Sequence, residues 1–317
     1  MRYLIAIVGL LAPCLLTAPA GAGMEGHGGV VNAVAFSPDG RLAASGSWDN
    51  SVAVWDLATG APRFFLAGHA LSVNDVAFSP DGTLVASASW DMTVRLFAPA
   101  TGVLVRTFAG HREAVYSVAF SPDGARLLTA SWDYTAKLWD VANGDATTTL
   151  AGHTANVMAA RFSPDGDRVL TASYDGTLRL WDASTGAALI ILSGHENSVN
   201  DAAFLPDGGR ALSASTDKSV RLWDLATGRE LARLDGHAAF VTCLAVAPDG
   251  TSALSGDGDG VLILWDLATG TPLRLLAGTD RPIWGVAISP NGRTALSGGS
   301  DRLVRHWDLA TGREIDP

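Results

Sequence analysis

Residues 110–151 read GHREAVYSVAFSPDGARLLTASWDYTAKLWDVANGDATTTLA, and the whole chain is this stretch repeated. Gly-His recurs at Gly26-His27, Gly68-His69, Gly110-His111, Gly152-His153, Gly194-His195 and Gly236-His237, always at a step of 42 residues. The next step falls on Gly278-Thr279, which keeps the glycine and loses the histidine. Ten residues after each histidine position comes Ser-Pro-Asp-Gly (Ser37 to Gly40, Ser79 to Gly82, Ser121 to Gly124, Ser163 to Gly166) or a softened form (Leu205 to Gly208, Ala247 to Gly250, Ser289 to Gly292). Trp-Asp closes six repeats, from Trp55-Asp56 to Trp307-Asp308, and the second has Phe97-Ala98 there. A fixed period of this length marks an array of one supersecondary unit that buries its apolar face only against its neighbours.

Each unit carries strand signals alone. In the first, Val31 to Phe36 alternates and is β-rich, and Pro38-Asp39-Gly40 supplies a turn. Short strands follow at Leu42 to Ser47, Val52 to Trp55 and Pro62 to Leu66, the last entered through Thr59-Gly60. Four strands in 42 residues leave little room for a helix.

With seven such units from Gly26 to Pro317, the chain resembles the WD40 family, in an exported, bacterial-type form. The resemblance implies an all-β, seven-bladed β-propeller with four-stranded antiparallel blades. Radial repetition of this kind leaves only short, protected sheet edges. The expected domains are a secretory signal peptide over 1–22 and the propeller over 23–317.

A histidine, a hydroxyl residue, an aspartate and a tryptophan recur in fixed register: His111, Thr129, Asp133 and Trp139 in the third repeat. They suggest a Ser-His-Asp catalytic set, but chemistry needs one site, and here the set recurs around the ring. The resemblance implies instead a hydrogen-bonded chain inside each blade, with aspartate accepting from histidine, histidine bonding the hydroxyl, and the hydroxyl reaching the indole. The set is complete in five repeats, with Asp259 as the aspartate of the sixth. It lacks the indole in the second and the imidazole in the seventh, so those two blades are expected to be the less rigid. Arg95, Lys137, Arg179, Arg221 and Arg305 share one register and are expected to pair with nearby aspartates. The segment Gly256 to Gly260 looks like a calcium-loop fragment without its distal glutamate, so no metal is expected there. His306 is expected to be a satisfied, partly buried side chain, and Cys243 an inert core thiol.

Net charge is −10 from 22 basic and 32 acidic residues, which argues against nucleic acid as a partner. The recurring turn, register and Trp-Asp aspartates supply 19 of those acids, so the charge is mostly a by-product of the repeat. Two cysteines, Cys14 and Cys243, allow no internal disulfide once the first is removed. Arg2, the apolar run Tyr3 to Leu16, and small residues at Ala18-Pro19-Ala20 and Ala20-Gly21-Ala22 have the form of a cleavable export signal. The run is short for a membrane anchor, and Pro13 before Cys14 departs from the lipoprotein pattern. No membrane association is expected after cleavage.

Function is expected where repeats differ. The residue before each register aspartate reads Trp48, Trp90, Trp132, Tyr174, Thr216, Gly258 and Ser300 around the ring. The residue five after each histidine position reads Asn32, Asn74, Tyr116, Met158, Asn200, Thr242 and Trp284. The resemblance places both sets on the top face beside the central channel. Trp48, Trp90, Trp132 and Tyr174, with Tyr116 and Trp284, are therefore the expected partner-binding residues, since such side chains dominate hot spots. The main reading is a non-enzymatic, exported scaffold, periplasmic or secreted, that takes a protein or peptide and needs no cofactor. A second makes it an accessory or fused module of a c-type cytochrome, with any haem held by the partner. A third, a propeller hydrolase, needs carboxylates or histidines converging on the channel, which these variable top positions do not supply.

The last blade is expected to draw its outer strand from Gly312 to Ile315, with no upstream strand to lend. The seam with blade one would then rest on side-chain packing alone, and exchange fastest over 279–317. For export, the mature chain is expected to start between Gly21 and Met24. N-terminal sequencing of material recovered outside the cytoplasm checks it, and an intact Met1 on a cytoplasmic product would refute it.

Overall fold

The computed structural model describes residues 23–276 and 278–316, so the segment 1–22 assigned to a signal peptide lies outside the described residues. Each repeat forms a four-stranded antiparallel sheet of consecutive strands, giving seven blades. The first blade comprises Val31–Phe36, Leu42–Ser47, Val52–Asp56 and Pro62–Leu66, close to the sequence expectation. Among the described residues no helix is long and apolar enough to cross a membrane.

The innermost strands pack side by side around a central channel, and Val31–Phe36 of blade one closes on Ile283–Ile288 of blade seven. The apolar core lies between blades. One cluster joins Val52 and Leu66 of blade one to Val73, Val85 and Phe97 of blade two. Phe97 is buried where other blades place tryptophan, so the cluster is filled although the indole N–H is gone.

In all seven blades the inner strand skips one residue in its pairing with the second strand. The skipped residues are Asn32, Asn74, Tyr116, Met158, Asn200, Thr242 and Trp284. Such a bulge leaves one residue outside the ladder and re-aims its side chain. All seven bulged residues line the channel. The set placed on the top face by resemblance thus has a local cause in the strand geometry.

The seam corrects the expectation of packing alone. In blade seven the C-terminal strand is only Arg313–Glu314, paired with Trp307 and Asp308, and the Ile315 amide donates to the His306 carbonyl at 2.7 Å. Beyond it Met24 takes over the outer edge. Its amide donates to the Val304 carbonyl at 2.8 Å, and the Val304 amide donates back at 3.3 Å. Chain ends from both termini therefore share one strand position. The Met24 side chain is buried with Val31, Val34 and Trp55 of blade one and Leu296 and Val304 of blade seven. The two inner faces also approach closely, since a Cβ on Gly285 would lie 2.7 Å from the Asn32 carbonyl oxygen and one on Gly298 2.5 Å from Val31.

The Met24 latch has a measurable weight. Met24→Ala leaves the backbone pair but empties a buried side-chain site, and should destabilise the propeller by about 2 kcal/mol in denaturant unfolding. A change within about 0.5 kcal/mol, typical of surface substitutions, would mean the seam does not use this contact.

Candidate functional site at the top face and channel

The polar chain in each blade has a direction fixed by its donors. In blade three the Trp139 indole Nε1 donates to Thr129 Oγ1 at 2.9 Å, since an indole N–H can only donate. His111 Nδ1 donates to the acceptor-only carboxylate of Asp133 at 2.8 Å, so in the neutral imidazole Nε2 accepts the Thr129 hydroxyl at 2.7 Å. The same carboxylate accepts the Arg112 amide, the Thr135 amide and the Thr135 hydroxyl. These bonds outweigh its burial and hold Asp133 well below the usual carboxylate range. In blades one to five the top-face turn is thus pinned through an ionised aspartate, and the residue just before it is presented from a rigid base.

Blade six departs from the expected register. His237 Nδ1 bonds Asp257, not Asp259, at 2.7 Å. Asp257 is buried at the position where blades one to five place Ser47, Ser89, Ser131, Ser173 and Ser215, and Asp259 is exposed. Asp257 Oδ1 also accepts the amides of Asp259 and Val261, so its oxygens are engaged by its own turn. In blade seven Thr279 donates to the Arg281 carbonyl, and Trp307 keeps its bond to Ser297.

The basic register divides. Arg221 bridges Asp217 and Glu230 (3.2 and 2.7 Å), and Arg305 bridges Asp301 and Glu314 (3.0 and 2.8 Å). Lys137 instead donates to Thr149, and the buried Nε atoms of Arg95 and Arg179 have no hydrogen-bond partner. The expected pairing with aspartate holds for Arg221 and Arg305 only. His306 is half-buried, but its Nε2 has no partner, so it is not the satisfied histidine expected, and burial lowers its pKa. It lies edge-on to Phe36 across the seam. Cys243 is buried, and its thiol is pushed up to about 12 by desolvation.

The aromatic residues fall into two groups. Trp48 is 52% exposed, Trp90 40% and Tyr174 41%. Trp132 is half-buried between Trp90 (ring centroids 4.8 Å) and Tyr116, on which it stacks at 6.1 Å and 16°. Tyr116 reaches this stack from the channel mouth, where burial raises its pKa. Trp284 lies elsewhere on the ring, half-buried, bonded through Nε1 to Ser300 and packed against Phe240 at 6.4 Å. Sequence reading missed two neighbours. Met92 and Tyr134, the residues after Asp91 and Asp133, are 44% and 48% exposed and adopt left-handed φ values of 67° and 69°. Glycine fills that position at Gly176 and Gly260, so the turn does not require a large side chain there.

The channel, about 1020 Å³, holds charged residues that the top-face positions do not reveal. Arg161 stands where other inner strands have alanine, and lies 3.2 Å from Asp201 and 3.8 Å from Asp75 while donating to Ser117 at 2.6 Å. Asp75 accepts the Val118 amide of blade three, and Asp201 the Leu244 amide of blade six. Two carboxylates therefore do converge on the channel, from a register one residue beyond the bulge, which corrects the expectation drawn from the variable positions. Desolvation raises both their pKa values, with Arg161 opposing it. Their oxygens are engaged by backbone amides and Arg161, an arrangement that ties blades two to six together across the lumen. Among the described residues no group of three or more histidines, cysteines or carboxylates could hold a metal ion.

Arg161 is the compensating charge for both acids and is itself about a third exposed, so Arg161→Ala should destabilise by roughly 1 kcal/mol, the upper end for a solvent-screened pair. A carboxyl whose folded pKa is raised opposes folding at neutral pH, and that opposition fades as pH falls toward its folded value. The stability gap between Arg161→Ala and the native chain should therefore narrow from pH 7 towards pH 4 in thermal unfolding. A gap that widens in acid would contradict the pairing.

Against known families, the model for the WD domain, G-beta repeat, matches residues 21–56, 60–97, 102–140, 144–182, 186–224, 228–266 and 270–308. Curated relatives match over single short stretches. One is "Small ribosomal subunit protein RACK1z" of Oryza sativa subsp. japonica, 65% identical over 37 residues, covering 12% of this chain and 11% of that protein. "Protein Mut11" of Chlamydomonas reinhardtii is 63% identical over 38 residues, covering 12% and 10%. "Ribosome assembly protein 4" of Saccharomyces cerevisiae is 61% identical over 33 residues, covering 10% and 6%. The matched segments span about a tenth or less of these relatives' lengths, so the likeness reaches about one repeat. With seven matched repeats, paired as seven four-stranded blades, the chain belongs to the WD40 family of WD-domain, G-beta-repeat proteins.

Proposed function

We propose that this chain is an exported, bacterial-type interaction scaffold that binds a protein or peptide across the top face of blades one to four and catalyses no reaction. The observation that carries this reading is the run of large aromatics, Trp48, Trp90, Trp132 and Tyr174, on four consecutive pinned turns, three of them at least 40% exposed. Rigid aromatic side chains bury much area at little entropic cost, as hot spots require. Met92 and Tyr134 add apolar area there while holding a left-handed backbone, a conformation that costs about 1 kcal/mol for a residue other than glycine. A surface that keeps large apolar groups at a conformational cost, in contact with water, is suited to being covered by a partner. Export rests on the leader alone, Arg2 with Tyr3 to Leu16 and the small residues that follow.

Trp132 packs on Tyr116 and Trp90, so the fair test uses the two exposed indoles. Trp48→Ala with Trp90→Ala should leave the unfolding free energy within about 0.5 kcal/mol per site. The same pair should weaken a partner captured from the exported fraction by roughly 2 kcal/mol or more per hot spot in titration calorimetry. Unchanged partner affinity would place the interface elsewhere.

A further inference from the structure

The four exposed or half-exposed aromatics share a chemical neighbour. Each directly precedes the pinned carboxylate of its turn: Trp48 before Asp49, Trp90 before Asp91, Trp132 before Asp133, Tyr174 before Asp175. Each carboxylate meets a histidine Nδ1 at 2.7–2.9 Å. Among the described residues none of these four forms an ion pair with lysine or arginine. The hydrogen bonds that pin the carboxylates keep all four below their usual range, hence ionised. In blades one and four, burial lowers the pKa of His27 and His153, so the imidazole leaves the charge uncancelled at neutral pH.

The remaining blades reverse the pattern. In blades five and seven the equivalent carboxylate is paired with an arginine, Arg221 on Asp217 and Arg305 on Asp301. There the preceding residue is small, Thr216 or Ser300. In blade six Gly258 follows a fully buried Asp257. Aromatics therefore stand where the carboxylate forms no ion pair with lysine or arginine, and small residues where it is so paired or fully buried. An exposed aromatic next in the chain to a carboxylate without an ion-paired cation attracts a cation twice, through the ring quadrupole and through the charge.

We propose that blades one to four bind a lysine- or arginine-bearing segment of a partner protein, its cationic side chains resting on the exposed indoles of Trp48 and Trp90. The proposal rests on the scaffold reading of this face and adds the chemistry of the partner. Exposed carboxylates on an acidic chain attract any polycation weakly, but these four directly follow the aromatics in the chain, and three of them are largely shielded from solvent, so a cation drawn to them meets the aromatic side chains first.

The test uses three labelled peptides of equal length repeating Lys-Ser, Gln-Ser and Glu-Ser, titrated at physiological ionic strength. Lys-Ser should bind at least about tenfold tighter than Gln-Ser, as expected of hot-spot contacts, and Glu-Ser weaker still. Trp48→Leu with Trp90→Leu leaves net charge and most apolar area in place, and should abolish the preference; Trp48→Leu alone, at the most exposed indole, should reduce it. Equal binding of Lys-Ser and Gln-Ser overturns the proposal. So does a preference that survives the double substitution, which would mark general attraction to an acidic chain. If the preference is absent while a captured partner still depends on Trp48 and Trp90, the scaffold reading stands and the cation chemistry falls. If the preference follows the indoles while the partner ignores them, the scaffold reading of this face falls instead.

Discussion

Blades one to five each depend on one half-buried aspartate that its hydrogen bonds keep ionised. Its carboxylate gathers an imidazole N–H, a hydroxyl and backbone amides at the turn between the second and third strands, as Asp133 does with His111, Arg112 and Thr135. A carboxylate buried without such donors would be expensive, and with them that of Asp133 is a rigid knot of four hydrogen bonds. Through the histidine and the hydroxyl the knot extends to the core indole, so the surface turn and the interblade core share one polar thread. Removing a member leaves its buried neighbours unpaired, which costs more than the bond itself contributed. That asymmetry makes the motif recur and makes the turns stiff.

Stiff turns make the face readable. Because the second- to third-strand turn is pinned from below, its flanking side chains are displayed with little freedom left to lose on binding. The inner-strand bulge does the same for the channel mouth, expelling one residue per blade from the ladder toward the axis. Two local devices, the aspartate knot and the bulge, thus generate two concentric rings of positions, the inner of which also joins blades where Asn32, Asn74, Asn200 and Thr242 donate to a carbonyl of the next inner strand. Tyr116 from the inner ring and Trp132 from the outer ring stack on one another, so the rings are physically continuous at blade three.

The repeat made the architecture legible, because a fixed 42-residue period with strand-turn chemistry has few other solutions, and the strands of blade one fall almost where the pattern put them. The two rings were legible for the same reason. What escaped was any choice between near-equivalent neighbours. Gly256 to Gly260 offers two aspartates two residues apart, and the repeat register points to Asp259, whereas His237 bonds Asp257 and Asp259 is exposed. Arg161 was visible as a lone departure from alanine, and Asp75 and Asp201 as departures from small residues. Their meeting depends on how far side chains from blades two, four and five reach across a lumen. Met24 carried no pattern at all, since a single residue completing a strand has no period. Met92 and Tyr134 were hidden by backbone conformation, which a propensity reading assigns to glycine or asparagine.

The imperfect blades show why such a ring can vary without losing its shape. Blade two lacks the indole, yet Phe97 fills the same interblade space and His69 still bonds Ser87 and Asp91. Blade seven lacks the imidazole, yet Asp301 is held by Arg305, which Glu314 anchors from the outer strand. Blade five carries that arginine device through Arg221 and Glu230 in addition to its histidine, so the two ways of holding the aspartate are compatible rather than exclusive. An aspartate paired with arginine has its charge met within the blade, whereas in blades one and four burial lowers the pKa of the histidine that holds it, so the imidazole does not meet that charge. Exchanging one device for the other therefore changes what the surface attracts while leaving the turn in place. Variation among the blades is then a means of drawing charge on one side of a ring whose backbone is nearly symmetric, and that is how a repeat built for stability can acquire a face.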